Sequence, residues 1–247
     1  MRLIRDLVGM LVMAVALNAC FKAPEFPIVP EIQYSDINLK KGPPATKENP
    51  APADTLILWV KFKDGDGDLG LDGSETGIPY NDRFYYVFQD GSFLNYRDKF
   101  NVPGYDTLPA FVPPYNCTNW EVIKDPNPPY ATTDTLYFQL NPNHYNFFVD
   151  FYIEQNDGSF ALYDWKKEFI FPNCNVSGFN GRFPILSKDL SQKTAQEGTI
   201  RYNMNSVAFN ILFSIKVLRL RVYILDRALH KSNVIETKDF TLQSIRK

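Results

Sequence analysis

From Thr55 onward, apolar and polar positions alternate with a period of two. Leu56, Leu58, Val60 and Phe62 share one side of an extended chain, and Thr55, Ile57, Trp59 and Lys61 share the other. The same period recurs at Tyr145, Phe147, Val149, Phe151 and Ile153, at Phe209, Ile211, Phe213 and Ile215, and at Leu218, Leu220, Val222 and Ile224. It is the period of a strand with one buried face. Asp90-Gly91 and Asp157-Gly158 fall between aromatic-rich runs and carry the composition of tight hairpin turns. No stretch holds a helical period, although 187–197 has room for a turn or two of helix. Half-buried strands joined by short turns make antiparallel sheets, and two such sheets face to face bury the inward aromatics. The pattern predicts an all-β antiparallel β-sandwich over residues 54–247, as one elaborated sandwich or as two sub-domains with a boundary near 130. Residues 101–134, rich in Pro, Asn and Tyr, read as a long loop.

Composition narrows the chemistry. Twenty-six basic and twenty-eight acidic side chains leave a net charge of −2, which lacks the basic footprint of a nucleic-acid binder. Two histidines leave little for a His-based catalytic centre. Zincin, nucleophile-elbow and phosphate-loop motifs are all missing.

The N-terminus has an export layout. Arg2 and Arg5 precede an apolar run from Leu7 to Leu17, about half of what a membrane-crossing helix needs. The run ends in Leu17-Asn18-Ala19-Cys20, which resembles the bacterial lipobox. The resemblance implies a signal peptide over residues 1–19, cleavage before Cys20, acylation of that cysteine and membrane attachment through the lipid, most simply at the outer membrane. Residues 20–53, with seven prolines after the acylated cysteine, read as an extended tether. An exported chain left with Cys117 and Cys174 most simply joins them in a disulfide.

The run Lys63-Asp64-Gly65-Asp66-Gly67-Asp68-Leu69-Gly70-Leu71-Asp72 carries the most specific chemistry. Carboxylates at alternate positions, with glycines that let the loop curl, suit a hard cation with oxygen ligands. Asp64, Asp66, Asp68 and Asp72 are the candidate ligands of a structural calcium. Glu75 stands eleven residues after Asp64, as in an EF-hand, but Leu69 occupies the sixth position where that loop needs glycine. The run from Leu56 to Leu71 resembles the opening of uncharacterised outer-membrane lipoproteins of the Bacteroidota, as does the later run from Val222 to Asn233 with its Asp226-Arg227 pair. The resemblance implies an immunoglobulin-like sandwich and no activity. Asp226 and Asn233 then either supply further oxygens to the acidic loop or belong to a plain turn with Arg227 paired to an acid.

These features describe anchoring and rigidity. They point to a non-enzymatic binding module, outer-membrane-anchored and braced by calcium, whose partner is an envelope protein or an extracellular polymer. The alternative is a glycan-binding lipoprotein of a polysaccharide-uptake system, with Tyr152 and Trp165 as outward aromatics. A glycoside hydrolase ranks third, because its paired carboxylates need no local motif.

Overall fold

The computed structural model describes residues 25–111, 119–124, 133–165 and 178–247. The expected signal peptide over residues 1–19, the expected acylation site Cys20, and the expected disulfide between Cys117 and Cys174 lie outside them. Ten strands follow in chain order: β1 (Glu31–Lys40), β2 (Asp54–Asp64), β3 (Arg83–Tyr85), β4 (Trp120–Lys124), β5 (Thr133–Leu140), β6 (Phe147–Glu154), β7 (Phe160–Leu162), β8 (Gln196–Ser206), β9 (Leu218–Ile224) and β10 (Ile235–Glu236). Two short helices among the described residues are α1 (Asp98–Asn101) and α2 (Phe209–Phe213). The strands pair antiparallel in three sheets, ordered β1-β2-β8, β10-β9-β6-β7 and β3-β5-β4. No helix among the described residues is long and apolar enough to cross a membrane.

The first two sheets form the sandwich. Leu56, Leu58, Val60 and Phe62 of β2 meet Val149 and Phe151 of β6 and Leu218, Leu220, Val222 and Ile224 of β9 in one buried cluster. Each such side chain contributes about 1.5–3 kcal/mol when taken out of water. The fold is therefore the expected all-β sandwich, built from the alternation read along these three strands.

Four expectations need correction. Residues 31–40 are not tether but the edge strand β1, paired with β2 from Glu31↔Lys63 to Lys40↔Thr55. The run between Pro30 and Pro43 is free of proline, and a bulge between Tyr34 and Asp36 shifts its phase. Ile32 and Tyr34 therefore sit at even positions and Ile37 and Leu39 at odd ones, which hides the alternation. Residues 209–213 form α2 rather than a strand. Phe209 and Phe213, four apart, enter the core together, while Ile211 and Ile215 stand 81% and 88% exposed. Residues 187–195 carry turns and bends but no helix.

The fourth correction concerns domain layout. Of the two layouts read from the sequence, a second sandwich beginning near 130 is not seen among the described residues. Instead β3, β5 and β4 make a small lobe inserted between β2 and β6, with its own core of Leu94, Trp120 and Tyr137. The stretch read as a long loop supplies α1's end, β4 and the start of β5. Rings hold the lobe together edge to face, as in Tyr96 against Trp120 at 5.2 Å and 90°.

Arg182 ties the lobe's root to the sandwich. Its guanidinium donates to the backbone carbonyls of His144 (2.7 Å), Asp72 (2.9 Å), Glu75 (2.9 Å) and Tyr80 (2.8 Å). The Asn141 carboxamide donates to the Pro79 and Asn81 carbonyls, both at 2.7 Å. These bonds hold the segment after the acidic loop at one end of the sandwich.

Candidate metal centre

The acidic loop begins where β2 ends. Alternation along β2 puts Asp64 on the same side as Leu56 to Phe62, so its carboxylate points into the end of the core and is 0% exposed. The strand then gives way to a curl. Gly67 takes φ +69°, and a Cβ there would lie 2.3 Å from the Thr194 carbonyl oxygen, so only glycine fits. This turn brings the Asp68 N–H back to Asp64 Oδ2 at 3.0 Å.

The third wall comes from the other sheet. β9 ends at Ile224, and Asp226 follows two residues later, 2% exposed. Its Oδ1 accepts the His230 N–H at 2.7 Å, and its Oδ2 lies 2.8 Å from His230 Nδ1. One carboxylate oxygen each from Asp64, Asp68 and Asp226 lies within 4.8 Å of the others. Asp66 stands beside them, with Lys193 Nζ at 3.8 Å.

The polar atoms of this pocket are conspicuously unsatisfied. Asp64 Oδ1, Asp66 Oδ1 and Asp68 Oδ1 are buried and have no hydrogen-bond partner among the described residues. A buried acceptor left unpaired costs about 1–3 kcal/mol, and more when it is charged. Burial pushes the Asp64 carboxyl up to about 6, with the neighbouring Asp68 and Asp66 adding to the shift. Burial raises Asp68 as well, helped by Asp226 and Asp66. Asp226 is raised by burial although His230 opposes it, and His230 in turn is raised by its bond to Asp226. The carboxylates of Asp64, Asp68 and Asp226 could hold a hard divalent cation, and an irregular oxygen cage of this kind suits calcium chemistry.

Of the four sequence-predicted ligands, Asp64 and Asp68 converge here, Asp66 stands beside them, and Asp72 lies apart. Its Oδ1 accepts the Ser74 N–H at 2.8 Å and the Ser74 hydroxyl at 2.6 Å, which makes it the cap of an exposed turn and lowers its pKa. Glu75 is held by Arg227, whose Nη1 donates to Oε2 at 2.9 Å. The two readings of the Asp226-Arg227 pair are each met in part, since Asp226 joins the pocket, Asn233 does not, and Arg227 pairs with Glu75. Asn233 lies elsewhere and bonds Ile32 of β1. The pair at the end of the last long strand was the only local signal for the third wall.

Of the proposed glycan contacts, Trp165 is turned inward. Its ring packs against Phe151 at 5.2 Å, Phe179 at 5.0 Å and Tyr163 at 4.8 Å, between the sheets. The alternation does not reach it, because it lies beyond β7. Tyr152 is on the outer face of β6, bonded to Arg221, and lines a surface hollow of about 490 Å³ with Phe160 and Arg219. The two rings do not share a platform.

The pocket carries a pH signature of its own. The folded Asp64 binds its proton up to about pH 6, while an unfolded Asp releases it near 3.9. Between these values the folded chain holds more protons, so stability falls as pH rises through the window. In chelator, Asp64 is expected to contribute about 2 kcal/mol more at pH 4 than above pH 7. Urea unfolding of the native chain and of Asp64→Asn across pH 4–8 checks this, and a pH-independent difference between them would contradict it.

No family model matches the chain, and no curated protein or solved structure is significantly similar to it.

Proposed function

We propose that this chain is a lipid-anchored, non-enzymatic binding module of the bacterial outer membrane, braced by a structural calcium ion and presenting its surface to an envelope protein or an extracellular polymer. The observation that carries the reading is the buried Asp64 carboxylate, its Oδ1 unpaired among the described residues, grouped with Asp68 of its own loop and Asp226 from the other sheet. A cation there neutralises the cluster and joins the end of β2 to the end of β9. That is the role of a brace, and it leaves the outer faces for recognition. The lipobox-like Leu17-Asn18-Ala19-Cys20 supports the anchor.

Two measurements test the reading separately. Titration of calcium into the chelator-stripped chain is expected to give a saturable heat that Asp64→Asn and Asp226→Asn abolish. Labelled palmitate is expected to enter the chain in bacteria and to be lost in Cys20→Ser. No heat at any calcium concentration removes the brace, and no label removes the anchor.

A further inference from the structure

The chain that leaves the anchor is fastened to the acidic loop. A Cβ on Gly65 would lie 2.4 Å from the Phe26 carbonyl oxygen and 2.8 Å from the Pro27 carbonyl, so the backbone of residues 26–27 lies directly on the loop. The Lys63 ammonium stands 5.2 Å from the Phe26 ring centroid. From the other side, Asn233 Oδ1 accepts the Ile32 N–H at 2.7 Å and Asn233 Nδ2 donates to the Ile32 carbonyl at 2.9 Å. Cys20 is six residues before Phe26, a span of at most about 20 Å even when fully extended. On the anchor reading, the acidic end is the end that the lipid brings to the bilayer. The α2 end lies the length of β2 away, about 35 Å at the usual strand rise.

The acidic end also exposes aliphatic side chains. Ile28 and Val29 follow Pro27, Val234 follows Asn233, and Ile78 stands 84% exposed, two residues before Tyr80. The Tyr80 hydroxyl donates to the Arg227 carbonyl at 2.6 Å, which fixes that loop beside the pocket. A lone exposed aliphatic is ordinary. Four of them, each within two residues of a residue that contacts the acidic end, are brought to that end together. Lys193, close to Asp66, and Lys231, over the Tyr223 ring, add cations at the same end. Aliphatic side chains with lysines beside them suit the boundary between headgroups and acyl chains.

We propose that the acidic end docks on the bilayer surface, with Ile28, Val29, Ile78 and Val234 entering the interfacial layer and the α2 end directed away from it. The proposal rests on the acylation of Cys20. It makes the cation pocket membrane-facing and leaves Ile211 and Ile215 as the distal tip.

The test uses the acylated full chain in phosphatidylethanolamine–phosphatidylglycerol vesicles with brominated acyl chains. Tryptophan is introduced singly as Ile78→Trp, Val234→Trp and Ile211→Trp. The first two are expected to lose most of their added fluorescence to bromine, while Ile211→Trp keeps it. Vesicle flotation is measured in parallel. A chain that floats with no selective quenching at 78 and 234, or with quenching at 211 instead, overturns the docking and leaves the anchor standing. A chain that does not float overturns the anchor, and the docking with it.

Discussion

Calcium at a hundred times its dissociation constant is expected to stabilise the chain by about 2.7 kcal/mol over the same chain in chelator. For a domain of this size that is a rise of roughly 5–10 °C in melting temperature. The effect follows from the site's construction. Unfolding separates Asp64 and Asp68 from Asp226, so an ion bound by all three would hold the folded state only. Asp64→Asn and Asp226→Asn are expected to abolish the increment, each by removing a wall of the cage. Asp72→Asn is expected to keep it, because that carboxylate already serves Ser74 in an exposed turn. Scanning calorimetry of the four chains in calcium and in chelator decides the matter. Equal melting temperatures in both media for the native chain would remove the cation, and loss of the increment in Asp72→Asn would return the site to the simple local loop.

The second large effect lies at the other end. Phe213→Ala is expected to cost about 3–5 kcal/mol, whereas Ile211→Ala is expected to stay within roughly 0.5 kcal/mol. Phe213 is fully buried against Phe151 at 5.8 Å and Tyr163 at 5.1 Å, and Ile211 meets mainly water. A strand through this segment would put both residues on one face and make both costly. Urea unfolding of the two variants separates the helix from the strand, and similar losses in the two would overturn the helical packing.

That segment shows why alternation alone misleads. Phe209 and Phe213 lie four residues apart, a spacing that satisfies a strand face and a helix face equally. Ile211, between them, breaks the tie only once its exposure is known. β2, β6 and β9 were legible because each holds one phase for seven or more residues. β1 was not, because its bulge changes phase in mid-strand. The lobe escaped because β3 has three residues and β4 five, too few for a period to stand out from the surrounding prolines.

The metal pocket divides in the same way. Asp64, Asp66 and Asp68 are close in sequence, so their convergence could be read from the glycines between them. Asp226 arrives from the far sheet, and only the tertiary fold brings it in. Asp72, in contrast, carried a readable exclusion. It begins an Asp-x-Ser turn, and the same turn recurs at Asp90, Asp157 and Asp189, each bonding the serine two residues on through both its N–H and its hydroxyl. An aspartate committed to such a turn has little left for a cation.

The register of β1 on β2 has a mechanical consequence. β1 begins at the acidic end and runs antiparallel to β2 from Glu31↔Lys63 to Lys40↔Thr55. On the proposed anchoring at Cys20, a pull between the acidic end and the α2 tip is directed along both strands. It therefore loads the rungs of the ladder in shear, all together, instead of unzipping them one at a time. Such tension would be borne by the whole length of the seam, with the aspartate cluster at the point where the force enters.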